Sequence, residues 1–208
     1  MSKLGRPTSC LGIDTRKRLL IEARRSFASD GFDATTNKRL AQSVGITTAA
    51  IYHYFPSKVD LYVAVFTEVQ DLVCETIENS IHVDADVSQN ITTMVDTLAC
   101  LTEREPALVA FVMSVSSEAH RHPEVLEAVR PVRGRIGRIL LKVCDQAISR
   151  GEVHNEITAQ ALEDVFSIVL SGLARFSMVY KDPHRSSELI SAMKLLLNGA
   201  AFRVESRV

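Results

Sequence analysis

Between Thr36 and Lys58 the chain has room for only two short helices and an abrupt turn. Thr36 and Thr47 are side chains of the kind that cap helix N-termini, and Gly45 can take the positive φ that ends a helix. Pro56 stops the second helix. The link Gly45-Ile46-Thr47 forces the two helices to cross at once. Ala41, four residues before Gly45, is small enough to lie under that crossing, and Ile51, six after it, points back toward Leu40 and Val44. This spacing specifies a helix-turn-helix.

The rest of the chain agrees in kind. Strand signals are nearly absent, while apolar residues recur at helical spacing throughout. Residues 1–12, with Gly5, Pro7 and Gly12, read as a flexible basic arm. A helix is predicted from about Asp14, with Leu20, Ala23 and Phe27 on one face and Gly31 as its stop. Ser57 with Asp60 forms a capping box for a fourth helix, apolar along one side to Thr76. Further helices are predicted near 87–104, from Pro106, over 123–150, near 158–180 and near 186–203. The 123–150 stretch keeps an a/d-like spacing although Pro131, Gly134 and Gly137 puncture it. The expected fold is all-α, with about nine helices. Its divisions are 1–57 (arm and helix-turn-helix), 58–80 (connecting helix) and 81–208 (helical body).

Charge divides the chain unevenly. Residues 1–60 hold ten Lys/Arg against five Asp/Glu, while residues 61–208 hold fourteen against twenty. A basic N-terminal third on an acidic body points one end at a polyanion. The outward side of the helix-turn-helix supplies the contacts. Helix N-termini attract phosphate oxygens, and Thr36, Thr47 and Thr48 add hydroxyls there. Thr48, Ala49 and Ala50 keep the leading edge slim enough for a major groove, where Ala49 can meet a thymine methyl. Tyr52, His53 and Tyr54 can donate to phosphates, and Lys38 and Lys58 add charge.

The stretch TTNKRLAQSVGITTAAIYHYFPSKVDLYVAVF resembles the DNA-binding segment of the TetR family of bacterial transcriptional regulators. The family pattern is filled by Thr36, Leu40, Ala41, Gly45, Ile46, Thr47, Ile51, Tyr52, Tyr54, Phe55 and Lys58, and upstream by Phe27, Gly31, Phe32, Thr35 and Thr36. Gly5-Arg6-Pro7 is similar to a start common in the family, in which an arginine enters a minor groove. The resemblance implies an all-helical homodimer with three DNA-binding helices and an effector pocket in the C-terminal body. It implies a repressor released from a palindromic operator when a small molecule binds and moves the fourth helix.

Beyond residue 80 the resemblance transfers no residues. Aromatic and Met side chains there are core residues or pocket lining, and the pocket candidates are Met94, Phe111, Met113, Arg133, Phe166 and Phe176. The last two helices, about 158–180 and 186–203, are apolar on more than one side and must be covered on more than one side. The chain's own core, or a symmetric four-helix interface with a second copy, would cover them. The dimer is the expectation carried forward. His120 and His122, at i and i+2, point to different sides of a helix and read as a solvated boundary rather than a metal site.

Other classes find little support. No apolar run approaches the roughly 18 residues of a membrane span, and no secretory h-region opens the chain. Cys10, Cys74, Cys100 and Cys144 are far apart and read as reduced thiols of a cytoplasmic protein. No P-loop, G-x-S-x-G or H-E-x-x-H occurs, and no cofactor or catalytic group is expected. The alternative is a helical enzyme or metal-binding protein on a similar scaffold.

Overall fold

The computed structural model describes residues 8–180 and 182–197. Ten helices and no strand occur among them: α1 Thr8–Ala34, α2 Asn37–Val44, α3 Thr48–Tyr54, α4 Lys58–Ser80, α5 Val87–Arg104, α6 Pro106–Arg121, α7 Pro123–Val129, α8 Arg135–Ser149, α9 Ala159–Val179 and α10 Pro183–Leu197. They form two compact units. One holds the chain up to Val69 with Ala107–Arg133, and the other holds Gln70–Pro106 with the chain from Gly134.

In the first unit the caps read from sequence are in place. Thr36 Oγ1 accepts from Arg39 N, and Thr47 Oγ1 accepts from Ala50 N at 3.1 Å. Gly45 takes φ 75° and ψ 39°, and Ile46 N–H returns to Ala41 O at 2.9 Å. Arg18 Nη2 adds a third closure, donating to Val44 O at 2.7 Å across 26 residues. Leu40, Ala41, Val44, Ile51 and Phe55 are buried with Leu19, Leu20 and Ala23 of α1. Behind them Phe27, Phe32, Tyr62 and Phe111 form an aromatic cluster, with Phe27–Tyr62 centroids 4.9 Å apart and Tyr62–Phe111 centroids 5.0 Å apart. Such pairs are worth about 0.5–1.5 kcal/mol each beyond burial.

The start of α1 differs from the sequence reading. The helix begins at Thr8, so part of the predicted arm is helical, while Gly31 breaks the helical backbone as read and a short further stretch runs to Ala34 beyond the kink. Gly31 has φ 82° and ψ 177°, backbone that an L side chain rarely adopts. A Cβ there would also stand 3.0 Å from Glu118 Oε1. Thr35 Oγ1 then donates to Gly31 O at 2.8 Å and closes the turn that delivers the chain to the Thr36 cap.

In the second unit α8 packs on α9, α5 on both, and α10 on α5 and α9. The predicted 123–150 helix is two helices, which raises the count from nine to ten. Pro131 has no N–H to continue the ladder, and Gly134 turns to φ 79°. Gly137, by contrast, stays inside α8, where its missing side chain leaves room for the buried Glu163 carboxylate 3.1 Å from the Cβ position. Ser167 Oγ and Gln160 Nε2 donate to that carboxylate at 2.6 and 2.9 Å. The loop at 81–86 is tied as well. Asn90 Oδ1 accepts from His82 N, and Asp86 and Gln89 form a capping box for α5 that the sequence reading did not identify.

The second-unit helices bury one side and bare another. Phe166, Leu170 and Leu173 of α9 are buried, but Ile168 is 71% and Val179 65% exposed, and Val165, Leu195 and Leu196 are exposed too. Leu162, Val165, Phe166, Val169, Leu173 and Phe176 therefore do not share one buried face. Ala200 and the predicted helix beyond Leu197 lie outside the described residues.

Two glycine substitutions separate backbone strain from crowding. Gly45→Ala should cost about 1 kcal/mol, since no atom lies within 4 Å of its Cβ position and only the left-handed backbone is penalised. Gly31→Ala should cost about 2–3 kcal/mol, because strain and the Glu118 contact add. Urea denaturation of the two variants checks the order, and equal costs would remove the Glu118 contact from the explanation.

Candidate DNA-binding surface

α3 is amphipathic in an unusual way, because its polar side is largely aromatic. Ile51 is fully buried. Ala49, Tyr52 and His53 are exposed, with Tyr52 at 52%. At about 100° per residue, Ala49, Tyr52 and His53 share an arc of roughly 100°, and Ile51 lies roughly 200° round from Ala49. Tyr54 is half-buried, with its ring beside His53 (centroids 5.6 Å) and Phe55 (6.5 Å). The exposed edge is therefore methyl, phenol and imidazole on a helix anchored from behind by one isoleucine.

The two cap threonines sit at the same surface. Each Oγ accepts from its own helix, which leaves its O–H to donate outward. Thr48 is half-exposed, and Lys38 is exposed on α2. Arg39 is exposed too but pairs with Asp30. Arg16 lies over the Phe55 ring at 5.3 Å, bracing the end of α3 from α1. Arg6 lies outside the described residues.

Lys58 has a role that its position in the motif does not disclose. Its Nζ donates to Phe32 O at 2.8 Å and to Asp33 O and Thr35 O at 3.4 Å. It also lies 4.2 Å above the Phe32 ring centroid. The carbonyls at the end of α1 carry the negative pole of that helix, and no basic residue in its last turn meets them. Lys58, from the first turn of α4, supplies the missing cation. Asp60 N–H donates to Ser57 Oγ at 3.1 Å and holds that turn. The N-terminus of α4 and the C-terminus of α1 thus fix the direction in which α2 and α3 leave α1.

The pocket candidates are divided between the two units. Phe111, Met113 and Arg133 belong to the first unit, with Phe111 inside the aromatic cluster. Met94, Phe166 and Phe176 belong to the second. Phe176 lies against Tyr180, centroids 4.5 Å apart, with Arg185 4.0 Å above the Tyr180 ring. His122 departs from the solvated boundary expected of it: its side chain is only 15% exposed, while His120 is exposed.

Residues 19–65, which include the core of α1, both short helices and the start of α4, match the family described as bacterial regulatory proteins, tetR family. The DNA-binding segment of the chain thus matches the TetR family. The likeness extends past the matched segment. The HTH-type transcriptional regulator UidR of Escherichia coli K12 is 25% identical over 193 residues, 89% of this chain and 92% of that protein. Among solved structures, GusR of Salmonella enterica is 22% identical, with a TM-score of 0.74 over 96% of this chain and 99% of that one. FadR of Bacillus subtilis, solved with stearoyl-CoA, is 16% identical, with a TM-score of 0.73 over 88% of this chain and 98% of that one. At these identities the two structures establish that the TetR fold runs through the helical body. No described helix is long and apolar enough to cross a membrane.

Lys58→Ala separates the two jobs open to that ammonium. If it mainly holds the α1 end, the free protein should lose about 1–2 kcal/mol in urea denaturation, the worth of charge-assisted hydrogen bonds. The salt dependence of DNA binding should then stay near wild type. A slope flattened by about one unit with stability unchanged would place the ammonium on a phosphate instead.

Proposed function

We propose that this protein is a TetR-family transcriptional repressor that binds a two-fold symmetric operator as a homodimer and leaves it when a small molecule binds its helical body. The observation that carries the reading is α3: Ile51 is anchored in the core while Ala49, Tyr52 and His53 face outward beside two threonine caps. Ala49 and Thr48 suit a major groove. Tyr52, His53, Tyr54, Thr36, Thr47 and Lys38 suit the flanking phosphates, and Arg6 an adjacent minor groove. Double-stranded DNA is the partner, and the setting is the bacterial cytoplasm. The functional division at 57/58 and 80/81 belongs to this proposal.

The dimer is proposed through α9 and α10. The exposed Val165, Ile168, Val179, Leu195 and Leu196 lie on the helices expected to form it. Gly172, with no atom within 4 Å of its Cβ position, lets a second backbone come close. Support for an effector comes from FadR, a relative in fold whose structure contains stearoyl-CoA. Met94, Phe111, Met113, Arg133, Phe166 and Phe176 remain the pocket candidates. Release then follows from the effector's preference for the conformation that binds DNA less well.

Recovery of sheared genomic DNA on the purified protein should enrich a few fragments strongly, and uniform recovery would contradict sequence-specific binding. Ile168→Asp should leave the monomer folded but shift sedimentation to the monomer. It should weaken binding to an enriched fragment by at least about 100-fold, since two half-sites no longer bind together. A dimer that survives the substitution would move the interface off α9.

A further inference from the structure

The C-terminal turn of α1 is gripped from a second side, by the joint between α6 and α7. His122 occupies that joint, immediately before Pro123. Its ring packs on Phe32 with centroids 4.9 Å apart. Nε2 lies 3.3 Å from Asp33 Oδ2 and 3.6 Å from Glu118 Oε2, and Nδ1 lies 3.7 Å from Glu124 Oε1. Glu118 is itself buried, holds Arg121 Nη2 at 2.7 Å, and reaches the Gly31 kink. Joint and kink therefore touch at two adjoining places.

The charged and titratable groups around the ring come from four helices. α1 contributes Asp33, α6 contributes Glu118 and Arg121, and α7 contributes Glu124. α4 contributes Lys58, on the Phe32 ring but bound to carbonyls, and Tyr62. The Tyr62 phenol is kept neutral by burial and then by the Glu118 charge, both of which raise its pKa. Carboxylates thus face both ring nitrogens; Lys58 is bound to backbone carbonyls, and Arg121 shares Glu118 with the ring. A neutral imidazole has one N–H and must present a lone pair to a carboxylate on one side, whereas the imidazolium presents N–H to both. Nε2 is close enough to Asp33 for an ion pair but is not aligned as a hydrogen bond, so charge rather than a directed bond makes this contact.

We propose that His122, as the imidazolium, is a positioning residue for operator binding: it fastens the end of α1 to the α6–α7 joint and loosens its hold when the ring loses its proton. The consequence at DNA rests on the repressor reading, but the latch itself does not. Only four residues separate Gly31 from Thr36, the cap of α2, so freedom at the kink becomes freedom in the aim of α2 and α3. Fixing that aim before binding removes part of the ordering cost of binding. The sign follows from the charged form: the imidazolium attracts the facing carboxylates, and the neutral ring does not.

Hydrogen exchange on the full-length, DNA-free protein reads the latch directly. After correction for intrinsic rates, amides of residues 31–40 should be about five-fold better protected at about pH 6 than at about pH 8, across the range in which histidine titrates. His122→Gln should abolish that difference and leave α9 amides unchanged. Asp33→Asn, at an exposed position that threatens folding less, should reduce it. An identical pH response in wild type and both variants would overturn the proposal. Operator affinity should fall several-fold more steeply between those pH values in wild type than in His122→Gln, and parallel profiles would overturn the positioning role. A protein that shows the exchange pattern yet enriches no DNA would uphold the latch and sink the repressor reading.

Discussion

The structure of the DNA-binding unit depends on how the last turn of α1 is capped. A helix end leaves carbonyls without partners, and here the chain must also bend sharply through Gly31 before α2 begins. Lys58 meets three of those carbonyls from α4. Thr35 Oγ1 closes the kink internally, and the α6–α7 joint presses on it through Glu118 and His122. Contacts reaching back from residues 58, 118 and 122 therefore hold the end of α1 from which α2 departs. Arg18 on Val44 O and Arg16 on the Phe55 ring extend the same logic: cations of α1 are used to hold neighbouring elements.

That use of cations bears on how the protein meets DNA. The basic excess of the first 60 residues suggests a surface of free positive charge. Several of these charges are committed inside the unit, in Lys58, Arg18, Arg16 and the Arg39–Asp30 pair. The outward side of α3 is uncharged apart from whatever proton His53 carries. On the proposed reading, base contacts from this helix would rest on shape, methyl contact and neutral hydrogen bonds, with phosphate attraction left to its flanks.

Local features were legible in the sequence, and long-range ones were not. Thr36, Thr47, Gly45 and Pro56 act on backbone within four residues of themselves, and the structure uses each as read. Ile51 and Phe55 announced the core side of α3 by spacing alone. Asp86-x-x-Gln89 carries the capping-box pattern of α5 in four residues. The break between α7 and α8 has its signals in Pro131 and Gly134, set within a sustained apolar period that by itself reads as one helix. Lys58 was readable as a charge in a family motif, yet its partners lie more than 20 residues upstream. His122 reads from sequence as a solvated boundary residue, because nothing in a histidine beside a proline says that Phe32 and Asp33 will pack on it.

One claim joins fold and function: α3 carries the core on one side and reads DNA with the other. Ala49 tests it most directly, because it is exposed, contributes nothing to the core and forms the slim edge proposed to enter the groove. Ala49→Leu should leave the urea midpoint of the free protein unchanged. It should weaken binding to the fragments enriched by the wild type by at least about 100-fold, since a bulky side chain there holds the helix off the bases. Wild-type affinity for the same fragments in a stably folded Ala49→Leu protein would contradict the account, because DNA would then be read from another surface.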